Sequence, residues 1–188
     1  MLVRITPPTV PVVTLSQAKE ALRLDGDDEN ALVESLIAAA VGSLDGPDGT
    51  LGRALAPQTL DLRLQGFGCG SIRLPLPPCA SVVSIKVTGT DGAEATVDPT
   101  IYRVLNAGTG LVASIELAHG KSWPSIRAGS DAVRIRYEAG YAEGAVPGPI
   151  ARAVLIRVAH LYENRGGSNQ GGEPPAVEAL LTPFRVTV

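Results

Sequence analysis

The sequence predicts an α+β protein in which N- and C-terminal helices form a small bundle that carries an antiparallel β-rich insertion. Three observations lead there. Apolar residues recur at helical spacing near both ends, the middle is made of short runs separated by turn residues, and the order along the chain is helices, strands, helix. Helices arranged in that order pack best on one another, with the strands emerging between them. A chain of 188 residues with 45% hydrophobic content can bury one good core, so residues 1–188 are expected to form a single domain. Its parts are N-terminal helices over 14–44, a β-rich insertion over 57–138, a long helix over 147–165, and a C-terminal helix and tail over 173–188.

The helical signals are local. Thr14 followed by Gln17 makes a capping box, so a helix should begin near Leu15, with Leu15, Ala18, Leu22 and Ala21 as its apolar stripe and Gly26 as its stop. Asp27, Asp28 and Glu29 place negative charge where a second helix dipole would favour it, and that helix runs through Leu32, Leu36, Ala39 and Ala40 to about Ser43. Residues 45–52 have a loop composition of Gly, Asp and Pro. Pro147 and Pro149 suit the first turn of the long helix, whose Ile150, Ala153, Val154, Val158, Leu161 and Tyr162 keep helical spacing as far as Asn164. Residues 166–172 have a flexible-linker composition, and a last short helix is expected over 176–181, followed by a tail containing Phe184 and Arg185.

Strands are expected at 59–64, 71–74, 82–88, 102–105, 111–117 and 132–137. Asp91-Gly92 reads as a hairpin turn, and its flanks suit an antiparallel meander. Arg134 and Arg136 alternate on one strand and must share a face, read as solvated or inter-subunit, with a DNA-facing role as the alternative.

Composition narrows the function. A net charge of −3 and a pI of about 5.4 give no bulk attraction to nucleic acid or anionic membranes. Residues 1–13 are broken by Pro7, Pro8 and Pro11 and lack the apolar core of a signal peptide, so the chain is expected to be cytosolic when made. The stretch 151–162 contains Arg152 and Arg157 and is shorter than the roughly 20 residues of a membrane span. Cys69 and Cys79 have no neighbouring Cys or His in a zinc-ligand pattern and are expected to be free thiols.

Candidate chemistry is thin. The run from Gly66 to Gly70 leads into a strand, whereas a phosphate cradle leads into a helix, so it reads as a turn. Ser16 and Lys19 match the S-x-x-K tetrapeptide but lie within the capped helix, and the companion motifs are absent. Asp25, Asp27 and Glu29 alternate as calcium ligands do, without the glycine and closing glutamate of a calcium loop. His119 and His160 are the only histidines, and neither has a sequence neighbour that makes it a base. Trp123 is best explained as a cap on the β core. No catalytic residue, metal ligand or cofactor site is expected, and the protein is expected not to be an enzyme.

Four stretches taken in order resemble a known family. They are Val13-Thr14-Leu15-Ser16-Gln17-Ala18-Lys19 through Leu22-Arg23-Leu24-Asp25; Asp28-Glu29-Asn30-Ala31-Leu32-Val33-Glu34-Ser35-Leu36-Ile37-Ala38-Ala39-Ala40; Leu74-Pro75-Leu76-Pro77-Pro78 with Ser81-Val82-Val83-Ser84-Ile85; and Tyr137-Glu138-Ala139-Gly140-Tyr141 with Val146-Pro147-Gly148-Pro149-Ile150 and Ala159-His160-Leu161-Tyr162-Glu163-Asn164-Arg165. Their order and spacing resemble the head-to-tail connector, or head-completion, family of long-tailed bacteriophages and phage-like particles. The resemblance implies a structural adaptor in the virion neck, a dodecameric ring under the portal protein. Stopper or tail proteins would be its neighbours, and DNA would pass through without sequence-specific binding.

It also implies that residues 173–188 reach the portal, with Leu180, Leu181, Phe184 and Arg185 as contacts. A glycine-rich hinge before apolar residues suits a segment that orders only on a partner. The loop at 45–52 departs from the family's continuous helix after Ala40. Two rivals are another neck component, a stopper or tail terminator, and a β-rich carbohydrate-binding or hydrolytic module using Trp123 and Glu116.

Overall fold

The capping box at Thr14 forms as its residue types require. Gln17 N–H donates to Thr14 Oγ1 at 3.2 Å and Thr14 N–H donates to Gln17 Oε1 at 2.8 Å, opening α1 (Leu15–Leu22). The computed structural model describes residues 1–127, 129–164 and 172–186, which form a helical unit (Val10–Ala56 and Ala142–Val188) and a β unit (Met1–Thr9 and Pro57–Tyr141).

In the helical unit α1 ends sooner than Gly26. Arg23 adopts the left-handed conformation (φ 58°), and Leu24 N–H reaches back to Lys19 C=O at 3.0 Å, so Gly26 lies in the following turn. The acidic run does not cap α2 (Asn30–Gly42) through a side chain. Asp27 instead accepts from Lys19 Nζ at 2.9 Å and from Asn30 Nδ2 at 3.0 Å. α2 buries Val33 and Ala40, whereas Leu32 and Leu36 are half-buried and Ala39 is exposed. The helix is apolar nearly all round, so spacing alone could not choose its inner face. α3 (Gly148–Glu163) buries Ile150, Ala153, Val154 and Val158, and α4 (Pro175–Leu181) buries Val177 and Leu181. A 3₁₀ turn, Thr182–Phe184, follows. Of the glycine-rich stretch at 166–172, only Gly172 lies among the described residues.

The segment joining α2 to the β unit looks like surface loop in sequence, and while Pro47, Asp48 and Thr50 are exposed, its apolar residues enter the core. Leu44, Leu51, Ala54 and Leu55 are completely buried. A buried loop must satisfy its own backbone, and Asp45 does this: its Oδ1 accepts Leu55 N–H at 2.6 Å, while Gly46 N–H donates to Arg53 C=O at 2.8 Å. Gly49 closes the turn so tightly that a Cβ there would lie 2.2 Å from the Leu44 carbonyl oxygen.

The β unit contains β1 (Leu2–Thr6), β2 (Gln58–Leu64), β3 (Ile72–Arg73), β4 (Cys79–Thr88), β5 (Glu94–Thr96), β6 (Tyr102–Leu105), β7 (Ser114–Leu117) and β8 (Val133–Ala139). Five form an antiparallel sheet in the order β1-β2-β8-β4-β5, and three form a second, β3-β7-β6. This is not a meander, because β8, last in sequence, inserts between β2 and β4. Val133, Ile135, Tyr137 and Ala139 of β8 are all buried, a pattern that suits a central strand. Two strands fall outside the expected set: β1 ends just before Pro7, and β5 is only three residues long. The β4–β5 hairpin does turn at Asp91-Gly92, with Gly92 at φ 84° and Asp91 Oδ1 accepting Ala93 N–H at 3.0 Å.

Gly49→Ala is expected to destabilise the protein by about 2–3 kcal/mol through overpacking against backbone. Asp45→Ala is expected to cost roughly 1–3 kcal/mol by orphaning the buried Leu55 N–H. Urea unfolding of both variants measures this, and wild-type midpoints would refute the loop's place in the core.

Candidate interaction surfaces

The outer face of the five-stranded sheet is built by register. Asp61 of β2 lies opposite Arg136 of β8, and Arg63 lies opposite Arg134, which in turn faces Lys86 of β4. Arg136 donates from Nε to Asp61 Oδ1 at 2.7 Å and from Nη2 to Oδ2 at 2.9 Å, a bidentate pair. The Asp61 side chain is 1% exposed and that of Arg136 is 40% exposed, so the guanidinium roofs a buried carboxylate. Those hydrogen bonds hold the Asp61 carboxyl below its ordinary range, against the opposing effect of burial. Glu94 of β5 accepts from Lys86 Nζ at 2.7 Å and also from Arg134, and the Lys86 hydrogen bond is the main cause lowering its carboxyl. The two arginines singled out by alternation do share a face, and each is engaged by a carboxylate.

The second surface is the C-terminal segment, whose described residues, 173–186, pack within the helical unit. Leu181 is 1% exposed and belongs to the core; Leu180 and Phe184 are half-buried, and Arg185 is exposed. Beyond α4 the chain lies along residues 51–53. Val186 N–H donates to Leu51 C=O at 3.0 Å, and Arg53 Nε donates to the Phe184 carbonyl. Gly52, at φ 62°, permits the approach, since a Cβ there would sit 2.5 Å from Val186 O. Arg185 pairs with Glu178 at 2.6 Å, and Arg157 of α3 holds Glu173 and Ser43. The expectation that this segment orders only on a partner is therefore corrected: Val177 and Leu181 find their apolar surroundings inside the chain.

Lys19 Nζ turns to Gly26 C=O and Asp27, so its hydrogen bonds serve the α1–α2 turn. Among the described residues no group of three or more His, Cys, Asp or Glu is arranged to hold a metal ion. His119 is exposed beside Gly120 and His160 is half-buried in the last turn of α3. Cys69 is exposed and Cys79 buried, both free, and burial pushes the Cys79 thiol up to about 11. The run from Gly66 to Gly70 delivers buried Phe67 against Trp123, rings parallel within 2° and 4.0 Å apart, and Tyr102 lies 6.4 Å from Trp123 on the same cluster. Sequence reasoning missed this convergence because the three aromatics are far apart along the chain. Trp123 and Phe67 spend facing ring surfaces on each other, and Glu116 lies half-buried on β7 opposite Arg103.

No known protein-family model and no curated protein matches the chain. Solved structures do. The chain is similar to one from the neck of an empty gene transfer agent (GTA) particle computed with C6 symmetry, with a TM-score of 0.80 and 26% identity over 100% of this chain and 96% of that one. It is similar to one from the neck of a native GTA particle computed with C12 symmetry (TM-score 0.79, 25% identity) over 100% and 96% of the two chains. The fold is also that of a chain in the virion of the native GTA particle, with a TM-score of 0.79 at 24% identity, again over 100% and 96%.

Arg136→Gln should strand the Asp61 carboxylate and cost roughly 2–3 kcal/mol at neutral pH. Because Asp61's folded pKa is depressed, the pair's contribution is present above the unfolded pKa of about 4 and is lost as pH falls through the folded value. The gap between wild type and variant should therefore narrow on acidification, as read by urea midpoints from pH 7 to about pH 3; a constant gap would remove the charge explanation.

Proposed function

We propose that this protein is a structural, non-enzymatic subunit of the neck of a phage-like particle, specifically a head-to-tail adaptor that forms a ring beneath the portal. The observation that carries the reading is the likeness to GTA neck chains over the whole length, with a TM-score of 0.80 and both chains almost entirely covered. Likeness to a neck determined with C12 symmetry supports a dodecameric ring. Location in the virion neck follows from the same reading.

The function is then geometric. Subunits match portal to tail and leave a channel through which DNA passes without sequence-specific contacts. Arg134 and Arg136 fit either an inter-subunit or a channel face. Their commitment to Glu94 and Asp61 keeps these two arginines from binding backbone phosphate. Portal contact is assigned to Leu180, Phe184 and Arg185, which keep exposed surface, while Leu181 supports them from the core. The adaptor reading is preferred to stopper or tail terminator because the C-terminal segment offers a discrete docking edge. The aromatic cluster does not favour a carbohydrate site, because the facing rings of Phe67 and Trp123 are stacked on each other.

Electron microscopy of the protein with and without its particle's portal, beside mass measurement in solution, tests this. Rings, or rings that need the portal, are expected. Deleting residues 173–188 would also remove buried Val177 and Leu181, so the sharper variant is Leu180→Ala with Phe184→Ala and Arg185→Ala, expected to stay folded and lose portal docking. A monomer that ignores the portal would sink the adaptor reading.

A further inference from the structure

One end of the five-stranded sheet holds a cleft of about 200 Å³ whose walls include Arg63 from β2, Lys86 and Thr88 from β4, Glu94 from β5, Arg134 from β8, and Asp131 just before it. Three cations meet two carboxylates, so the lining carries a net positive charge. The carboxylates are unevenly shared. Glu94 takes both Lys86 and Arg134, leaving Arg63 with Asp131 at 3.5 Å, too long for a strong charge-assisted hydrogen bond. The Arg63 Nε–H is buried and has no hydrogen-bond acceptor among the described residues. A buried donor of a charged group with no acceptor is unusual and costly.

We propose that this cleft is an oxyanion site that takes one phosphate group, with Arg63 as its principal ligand. A guanidinium binds two oxygens of a phosphate in parallel, and the Arg63 side chain is 30% exposed, with its Asp131 partner at 3.5 Å, so its accessible nitrogens are held only loosely within the cleft. A phosphate has further oxygens for Lys86 on the same wall, which a planar carboxylate lacks. Arg134 and Arg136 serve less well, because each already hydrogen-bonds a carboxylate. The group is a free phosphate or a diester of a DNA backbone, and the chemistry of the site is the same for both. The site does not depend on ring formation.

The test is a titration of the full chain with inorganic phosphate against chloride at constant ionic strength, followed through arginine Nε–Hε NMR signals below neutral pH. One signal, identified by its absence in Arg63→Gln, is expected to shift and saturate, and Arg63→Gln is expected to bind phosphate about tenfold more weakly, as loss of a hydrogen bond to a charged group predicts. Glu94→Gln, an exposed change that should not disturb folding, is expected to bind roughly two- to fivefold more tightly by removing a surface repulsion. Adding a short DNA duplex then separates the sources: displacement of phosphate from Arg63 makes the backbone diester the ligand, and no displacement makes it the free anion. A shift at Arg63 that never saturates, or equal affinities in wild type, Arg63→Gln and Glu94→Gln, would overturn the site.

Discussion

Strand β8 lies between β2 and β4, and its seven residues alternate without a break between a buried and a charged face. A slip of one residue would carry Arg134 and Arg136 into the core and expel Val133, Ile135 and Tyr137. Each of those apolar side chains is worth about 1.5–3 kcal/mol buried, whereas an exposed ion pair is worth about 0–1 kcal/mol. Hydrophobic burial therefore decides the register, and the charges on the outer face follow from it. Asp61 is the exception, since its carboxylate is buried and depends on Arg136 above it. Tyr137 ties the same strand to a second part of the unit through its hydroxyl, which donates to Pro75 C=O at 2.8 Å.

The helical unit solves a different problem. Four helices of modest length do not enclose a core by themselves, and the segment after α2 supplies the missing apolar volume through Leu44, Leu51 and Leu55. Asp45 makes that burial tolerable by satisfying backbone that would otherwise be stranded away from water. The same segment offers Leu51 and Arg53 to the C-terminal tail. The position of the tail thus depends on a loop more than a hundred residues earlier in the chain, and the surface it presents is set by which of its side chains this docking consumes.

Several chemistry-bearing residues serve the structure: Lys19 closes a turn, Asp45 satisfies buried backbone, Asp61 is held by Arg136, and Trp123 packs on Phe67. The uneven sharing of carboxylates at the sheet end leaves Arg63 as the cation with the most unused hydrogen-bonding capacity in its cleft.

Local signals were legible in the sequence. The Thr14–Gln17 capping box, the Asp91-Gly92 turn, the proline start of α3 and the β8 alternation each involve residues within a few positions of one another, where backbone geometry and side-chain chemistry act directly. So was the α+β class, which follows from the order of those signals. Three other features depended on partners distant in sequence. The place of β8 between β2 and β4 is a competition among strands for the most buried position. The inner face of α2 is chosen by its neighbours, because the helix is apolar on nearly every side. The burial of the Gly- and Asp-rich loop requires an acceptor at Asp45 for a donor at Leu55 and a glycine at the Leu44 carbonyl, and composition registers only that such residues are common in exposed turns. By itself the sequence determined the helices and six of the eight strands among the described residues; the tertiary structure decided which polar groups were consumed in holding them together, because a hydrogen bond between distant residues exists only once the chain has folded.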